Sequence, residues 1–169
     1  MPVAQALLPE FDQEMAATRK VLERVPDGRF DWAPHEKSMT LQQLATHVAN
    51  LPSWTPMILH QDELDIAPPG GPGFTLPVAD STGELLAMMD QNMASAREAI
   101  AAAGDDLFME TWTLKKGGDV VFSAPKGGVL RRFVMNHVIH HRGQLTVYFR
   151  LLGVPVPQTI GNTADETDI

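Results

Sequence analysis

Three of the six histidines in this chain stand where imidazoles can converge on one point. His137 and His141 are spaced as i and i+4, and in an α-helix that spacing puts Cβ atoms about 5–6 Å apart on one face. Two imidazoles so placed reach one cation through nitrogen–metal bonds of about 2.0–2.1 Å. His47, far upstream, lies on another apolar stripe, and from a facing helix it completes a three-nitrogen face. Taken alone, His47 reads as an ordinary packed and hydrogen-bonded core residue. The His-x-x-x-His pair is harder to satisfy that way, because two imidazoles buried together need partners for both polar atoms of each ring. On spacing alone, a bound ion and a hydrogen-bonded core both stay open. His140 sits about 100° around the helix from its neighbours and reads as a flank or surface residue. His35 and His60 fall in or near loops and read as solvated.

Other chemistries find little support. The Glu-x-x-His motifs of a carboxylate-bridged di-iron bundle are absent, as are a zincin motif, a P-loop and a Gly-rich dinucleotide fingerprint. The chain has no cysteine, which excludes disulfides, thiolate nucleophiles and cysteine-based metal sites. The nine methionines fall mainly at helical positions and read as core filler. Asn50, Trp54, Asn136 and Gln144 each lie within a turn of a candidate ligand. They are candidate pocket residues, against the ordinary alternative of packing or surface exposure.

The elements that would position these groups are helices. Leu8, Phe11, Met15, Thr18, Leu22 and Val25 recur at steps of three and four and predict a helix over 3–25, ended by Pro26–Gly28. Thr40 with Gln43 forms a capping box that starts a second helix. Its stripe is Leu44, His47, Leu51, Trp54 and Ile58, and Pro52 and Pro56 predict a kink or break after Asn50. Residues 62–80 are rich in Pro, Gly and Asp and read as a long surface connection. Ser81 with Glu84 is a second capping box, opening a helix with stripe Leu85, Met89, Met93, Ala96 and Ile100. Over 109–124 the period changes and a small β-hairpin is predicted around Lys115–Asp119. The last helix, about 128–152, carries Leu130, Val134, His137, His141, Leu145 and Tyr148 and stops at Gly153. The tail, 154–169, reads as irregular. The expected fold is all-α: a single domain over 1–169, built as a four-helix bundle with long crossover connections and a minor β-hairpin before the last helix.

Composition narrows the partners. With 169 residues, 44% of them apolar, the chain can bury a core without staples. A net charge of −8, with no basic run longer than the pairs Lys115–Lys116 and Arg131–Arg132, argues against nucleic acid and anionic membrane surfaces. Residues 38–61 lack Asp, Glu, Lys and Arg, but Gln42, Gln43, His47, Asn50, Pro52 and Pro56 rule out a membrane span there. Glu10, Asp12 and Glu14 make the N-terminus unlike a signal peptide. The expected location is cytoplasmic.

Several segments carry a family resemblance. Ser-Met-Thr-Leu at 38–41, followed by Leu-Ala-Thr-His-Val-Ala at 44–49, resembles the second-helix signature of the DinB-like (damage-inducible) proteins. Val-Met-Asn-His-Val-Ile-His-His-Arg-Gly-Gln-Leu at 134–145 is similar to that family's last-helix signature. Tyr148–Pro157, Ala164–Glu166, and Ala-Pro-Lys at 124–126 also match. The resemblance implies a four-helix bundle with a three-histidine metal site on His47, His137 and His141. Some relatives in the wider superfamily are metal-dependent enzymes that use low-molecular-weight thiols, as S-transferases or as an isomerase.

The function expected from these features is binding of one divalent metal ion, zinc or nickel, by a His₃ site that leaves at least one position open. Such an ion acidifies a thiol or polarises an electrophile. With no cysteine in the chain, the thiolate must come from a small cosubstrate, which gives a metal-dependent transferase joining a low-molecular-weight thiol to a small electrophile. Two alternatives stand beside it. One is a non-enzymatic metal-binding stress protein, a homodimer that sequesters or senses an ion, and the other is a metal-dependent hydrolase.

Overall fold

The protein was analysed as a computed structural model that describes residues 1–72 and 75–167. Helix α1 spans Val3–Leu22 and buries Phe11, Met15, Thr18 and Leu22. It ends earlier than its stripe predicts, and Val25 is buried from the turn that follows.

The predicted capping box opens α2, Leu41–Asn50. The Gln43 N–H donates to Thr40 Oγ1 at 3.2 Å, and the Thr40 N–H donates to Gln43 Oε1 at 2.9 Å. Between them they satisfy two of the backbone donors that a helix start leaves without partners. The predicted break falls after Asn50. A 3₁₀ turn, Leu51–Ser53, carries Pro52, and α3, Trp54–His60, follows. Pro52 and Pro56 thus sit in first turns, where a missing N–H breaks no helical bond.

The connection after α3 is not wholly irregular. It contains a short strand, β1, Glu63–Asp65. Helix α4, Thr82–Ala102, starts where the Glu84 N–H donates to Ser81 Oγ. The reciprocal half of that box is shifted by one residue, because Glu84 Oε2 accepts from the Asp80 N–H instead. A short α5, Asp105–Met109, leads into the hairpin β2, Thr111–Lys116, and β3, Asp119–Pro125. Gly117 and Gly118 turn it with φ of 65° and 88°, the left-handed pair that a two-residue hairpin demands. Strand β1 pairs parallel with β2, so the hairpin becomes a three-stranded sheet in the order β1-β2-β3. Asp65 ties this join, accepting N–H groups from Gly117 and Gly118.

The last helix is interrupted. A short α6, Lys126–Leu130, runs into a wide π turn, Arg131–Met135, and then α7, Asn136–Leu152. Gly153, at φ 70°, caps its end.

Helices α1 and α2 each pack on both α4 and α7, while α1 and α2 lie diagonally across the bundle. Of the four long helices, α2 and α4 are adjacent in both sequence and space, while the consecutive pairs α1–α2 and α4–α7 lie across the diagonals, which is the expected crossover topology. One apolar core fills the interior, from Phe11 and Met15 through Leu44, Ile58 and Met89 to Leu145 and Phe149. Each such side chain contributes about 1.5–3 kcal/mol by leaving water. Two buried cations fix the last helix. Arg142, 3% exposed, pairs through Nη2 with Glu14 Oε2 at 2.7 Å. Its Nη1 donates to Glu14 O and Thr18 Oγ1, which locks α7 to α1. Lys126 Nζ donates to Leu59 O, Asp62 Oδ1 and Glu110 Oε2, which holds α6 to the end of α3. Among the described residues, no helix is long and apolar enough to cross a membrane.

Candidate metal centre

His47 on α2 faces His137 and His141 on α7, where those two helices pack together. One ligand atom from each ring falls within 4.8 Å of the others. The Nε2 atoms of His47 and His137 are 3.2 Å apart. Nitrogens on a tetrahedral ion with bonds of about 2.0–2.1 Å lie about 3.3 Å apart, so this edge already has the right length.

The second nitrogen of each α7 ring is committed. His137 Nδ1 lies 3.3 Å from Phe133 O, and His141 Nδ1 lies 2.6 Å from Gln144 Oε1. Both partners are acceptors, which sets the proton of each ring on Nδ1 and leaves Nε2 bare, and the Nε2 of His137 faces that of His47. This is how a ligating imidazole is normally oriented. The Phe133 carbonyl belongs to the π turn, where the Asn136 N–H reaches back to Arg131 O. π turns of this kind are frequent at functional sites.

The electrostatics agree with the donor set. Burial, then the charges His141 and His137 would carry, push His47 down to about 4. Burial also lowers His137, with His141 adding to the effect and the Phe133 carbonyl opposing it. His141 is lowered by burial and by His140, against the opposing hydrogen bond that it donates to Gln144. Three imidazoles that resist protonation keep their lone pairs at neutral pH, which is what a cation requires. No carboxylate joins the group among the described residues. The cluster fits a borderline divalent ion such as zinc or nickel better than an oxygen-seeking one.

Two cavities meet at this cluster. One, about 500 Å³, is lined by Met39, Gln42, Gln43, Thr46, His47, Asn50 and Leu76–Val78. The other, about 430 Å³, is lined by Trp54, Ile58, Leu64, Ile66, Trp112, Leu114 and Phe133, with His47, His137 and Leu76. His47 and Leu76 belong to both.

Of the candidate pocket residues, Asn50 lines the first cavity and Trp54 the second, its ring edge-on to His137 at 6.1 Å. Gln144 is exposed but bonded to His141. Asn136 is exposed and lines neither cavity. His140 is exposed against the ring of His141, outside the cluster, and His35 and His60 are exposed. Sequence reading missed Leu64, Ile66, Leu76, Trp112, Leu114 and Phe133. The period-two spacing of Trp112 with Leu114, and of Leu64 with Ile66, was the available signal for four of them.

The sequence profile of the DinB family matches residues 1–167. Among solved structures, a DinB-like protein from Bacillus cereus superposes with a TM-score of 0.69 at 23% identity, covering 93% of this chain and 97% of that one. A DinB-like protein from Bacillus subtilis gives 0.68 at 16% identity, covering 97% and 99%. At these identities the likeness concerns the fold. No curated protein matches the sequence.

Proposed function

The chain belongs to the DinB family, and from that premise we propose that it is a metal-dependent transferase, joining a low-molecular-weight thiol to a small electrophile. The observation that carries the reading is the meeting of three imidazole nitrogens within 4.8 Å, opening on two cavities. One zinc or nickel ion held there would supply Lewis acidity, lowering the pKa of a coordinating thiol.

The chain's own groups do the rest. Phe133 O and Gln144 Oε1 hold the tautomers of His137 and His141, so both rings keep Nε2 bare. Leu76, half-exposed, adds an apolar wall to both cavities beside His47. Asn50 places its amide on the wall of the first cavity, where it can orient a polar cosubstrate. The chain has no cysteine, so the nucleophilic sulfur has to arrive with that cosubstrate. The reading places the protein in the cytoplasm, where small thiols are kept reduced.

The test has two stages. Elemental analysis of the native protein should find one zinc or nickel ion per chain. The metal-loaded protein is then screened with small thiols plus electrophiles, in parallel with simple esters and amides. Thiol conjugation that disappears on chelation supports the reading. Turnover of esters or amides alone would make the protein a hydrolase, and bound metal with no turnover would leave a sequestering or sensing role.

A further inference from the structure

The two cavities differ in chemistry. The second carries no Lys, Arg, Asp or Glu, and its walls are mostly apolar. The first also lacks those four residue types, but it gathers amides and a hydroxyl along α2, from Gln42, Gln43, Thr46 and Asn50. Three of these already serve the chain. Gln42 Nε2 donates to Ala79 O and Asp80 Oδ1. Gln43 Oε1 accepts from the Thr40 N–H, and Thr46 Oγ1 accepts from the Ala79 N–H.

Asn50 is placed differently. It is only 9% exposed, and it stands on the cavity wall at the last turn of α2. The Ser53 hydroxyl donates to its Oδ1 at 3.2 Å, which fixes the plane of the amide. Its Nδ2 meets no acceptor among the described residues, yet that atom is not sealed from solvent. Buried amides are rarely left without a partner, so the acceptor for this donor has to come from the cavity, as water or as a ligand oxygen. The helix sets its distance from the histidines. His47 and Asn50 are i and i+3 on α2, which puts their Cβ atoms about 5–6 Å apart on one face.

We propose that the first cavity seats the thiol cosubstrate, and that this cosubstrate carries an uncharged carbonyl, about one helical turn from its sulfur, to which Asn50 Nδ2–H donates. The proposal rests on the transferase reading, in which the sulfur is brought to the histidines. The carbonyl is uncharged because no Lys or Arg stands in the wall to compensate a carboxylate for lost hydration. The carboxylate of Asp80, bonded to Gln42, would repel one. Asn50 thus selects among small thiols by what they carry beyond the sulfur.

The test uses the full-length protein, zinc-loaded and metal-free, and three thiols of one shape. N-acetylcysteamine has an amide carbonyl, isohexyl mercaptan has a methyl group in its place, and γ-mercaptobutyrate has a carboxylate. Affinities for the zinc-loaded protein are measured by calorimetry with wild type, Asn50→Leu and Asn50→Asp. N-acetylcysteamine should weaken about five- to tenfold in Asn50→Leu, the worth of one buried hydrogen bond. Isohexyl mercaptan should lose less than about twofold on the same scale. Wild type should bind γ-mercaptobutyrate more weakly than N-acetylcysteamine. Asn50→Asp keeps an acceptor for Ser53 and loses the free donor, so it gives the same ranking if Asn50→Leu does not fold. In ¹⁵N-labelled metal-free wild type, the Asn50 side-chain N–H resonances should move with N-acetylcysteamine and not with isohexyl mercaptan. Equal losses for the amide and alkyl thiols, unmoved Asn50 resonances, or γ-mercaptobutyrate binding as tightly as N-acetylcysteamine would overturn the proposal. Zinc uptake is measured separately. Zinc-loaded protein that binds thiols regardless of Asn50 refutes this inference alone. Asn50 resonances that answer N-acetylcysteamine in a protein that takes up no zinc refute the transferase reading alone.

Discussion

Lowering the pH of the metal-free protein should cost it stability through His47 in particular. In the fold, burial and its two neighbouring imidazoles hold His47 down to about 4, against 6.5 in an unfolded chain. Between those values the unfolded state takes up a proton that the folded state refuses. Unfolding free energy rises with pH wherever the unfolded state binds more protons, so the contribution is whole above pH 6.5 and is lost as pH falls toward about 4. The gap sets a ceiling of about 3.4 kcal/mol, at roughly 1.36 kcal/mol per pH unit. His47 is only half-buried, so solvent screening reduces this to about 1–2 kcal/mol. For a chain of this size that is a fall in Tm of roughly 2–8 °C. Thermal melts of chelator-treated wild type and His47→Gln, run between pH 8 and pH 4.5, isolate the contribution because every other group titrates in both. The wild-type Tm should fall more steeply. Parallel curves would refute the argument. The same depression governs metal uptake. At pH 6, three ordinary histidines would release about two protons to an incoming ion. With His47 held at about 4 and His137 and His141 also lowered, the cluster should release fewer protons, measured by calorimetry in two buffers of different ionisation heat.

Four further outcomes follow from the geometry. His47→Ala, His137→Ala and His141→Ala should each abolish or sharply weaken zinc binding in chelator competition, while His140→Ala binds nearly normally. Loss in His140→Ala with retention in His141→Ala would mean that the wrong helical face has been assigned. Gln144→Ala removes the acceptor on His141 Nδ1 and should weaken zinc about 10–100-fold, with Gln144→Glu restoring it. Arg142→Ala leaves Glu14 buried without its partner and should destabilise the fold by about 3–5 kcal/mol in urea melts. Arg142→Met should cost visibly less than Arg142→Ala if packing supplies much of that. Chelation should leave far-UV circular dichroism largely intact at 25 °C, because the apolar core, not the ion, holds the helices.

The helical half of the site was legible in the sequence because one spacing rule governs it. His137 and His141 share a face by the i, i+4 rule, and His47 sits on the stripe that buries Leu44, so packing stripe against stripe brings the three together. The capping box at Thr40 fixed where that stripe begins. The same rule explains why Asn136 is exposed. Adjacency in sequence to His137 places it about 100° around the helix, and facing is not inherited from a neighbour. The π turn at Arg131–Met135 left no mark in the pattern, since Leu130, Val134 and His137 keep steps of four and three across it. The sheet side was hidden for a different reason. Strand β1 has three residues, too few for alternation to stand out, and its parallel partner lies beyond a whole helix. Leu76 was hidden further still. Its segment is positioned by long-range bonds, with the Ala79 N–H donating to Thr46 Oγ1 and Gln42 Nε2 donating to Ala79 O. No local preference announces contacts of that kind.

These anchors bear on how the site works. Every element that presents a histidine is fixed by something other than the histidines. Arg142 sets α7 against α1, Lys126 sets α6 against α3, and the Thr40 box sets the start of α2. The rings are therefore held near one another by packing, and an incoming ion need not supply the free energy of assembling them. A zinc finger works in the opposite way, since there the ion builds the fold and is closed off by it. Here His47 lies on the walls of two cavities, and His137 on the wall of one of them. A site whose order comes from the scaffold can keep a coordination position open, because stability does not depend on filling it. That separation of stability from ligation leaves His47 free to line two chemically unlike cavities at once.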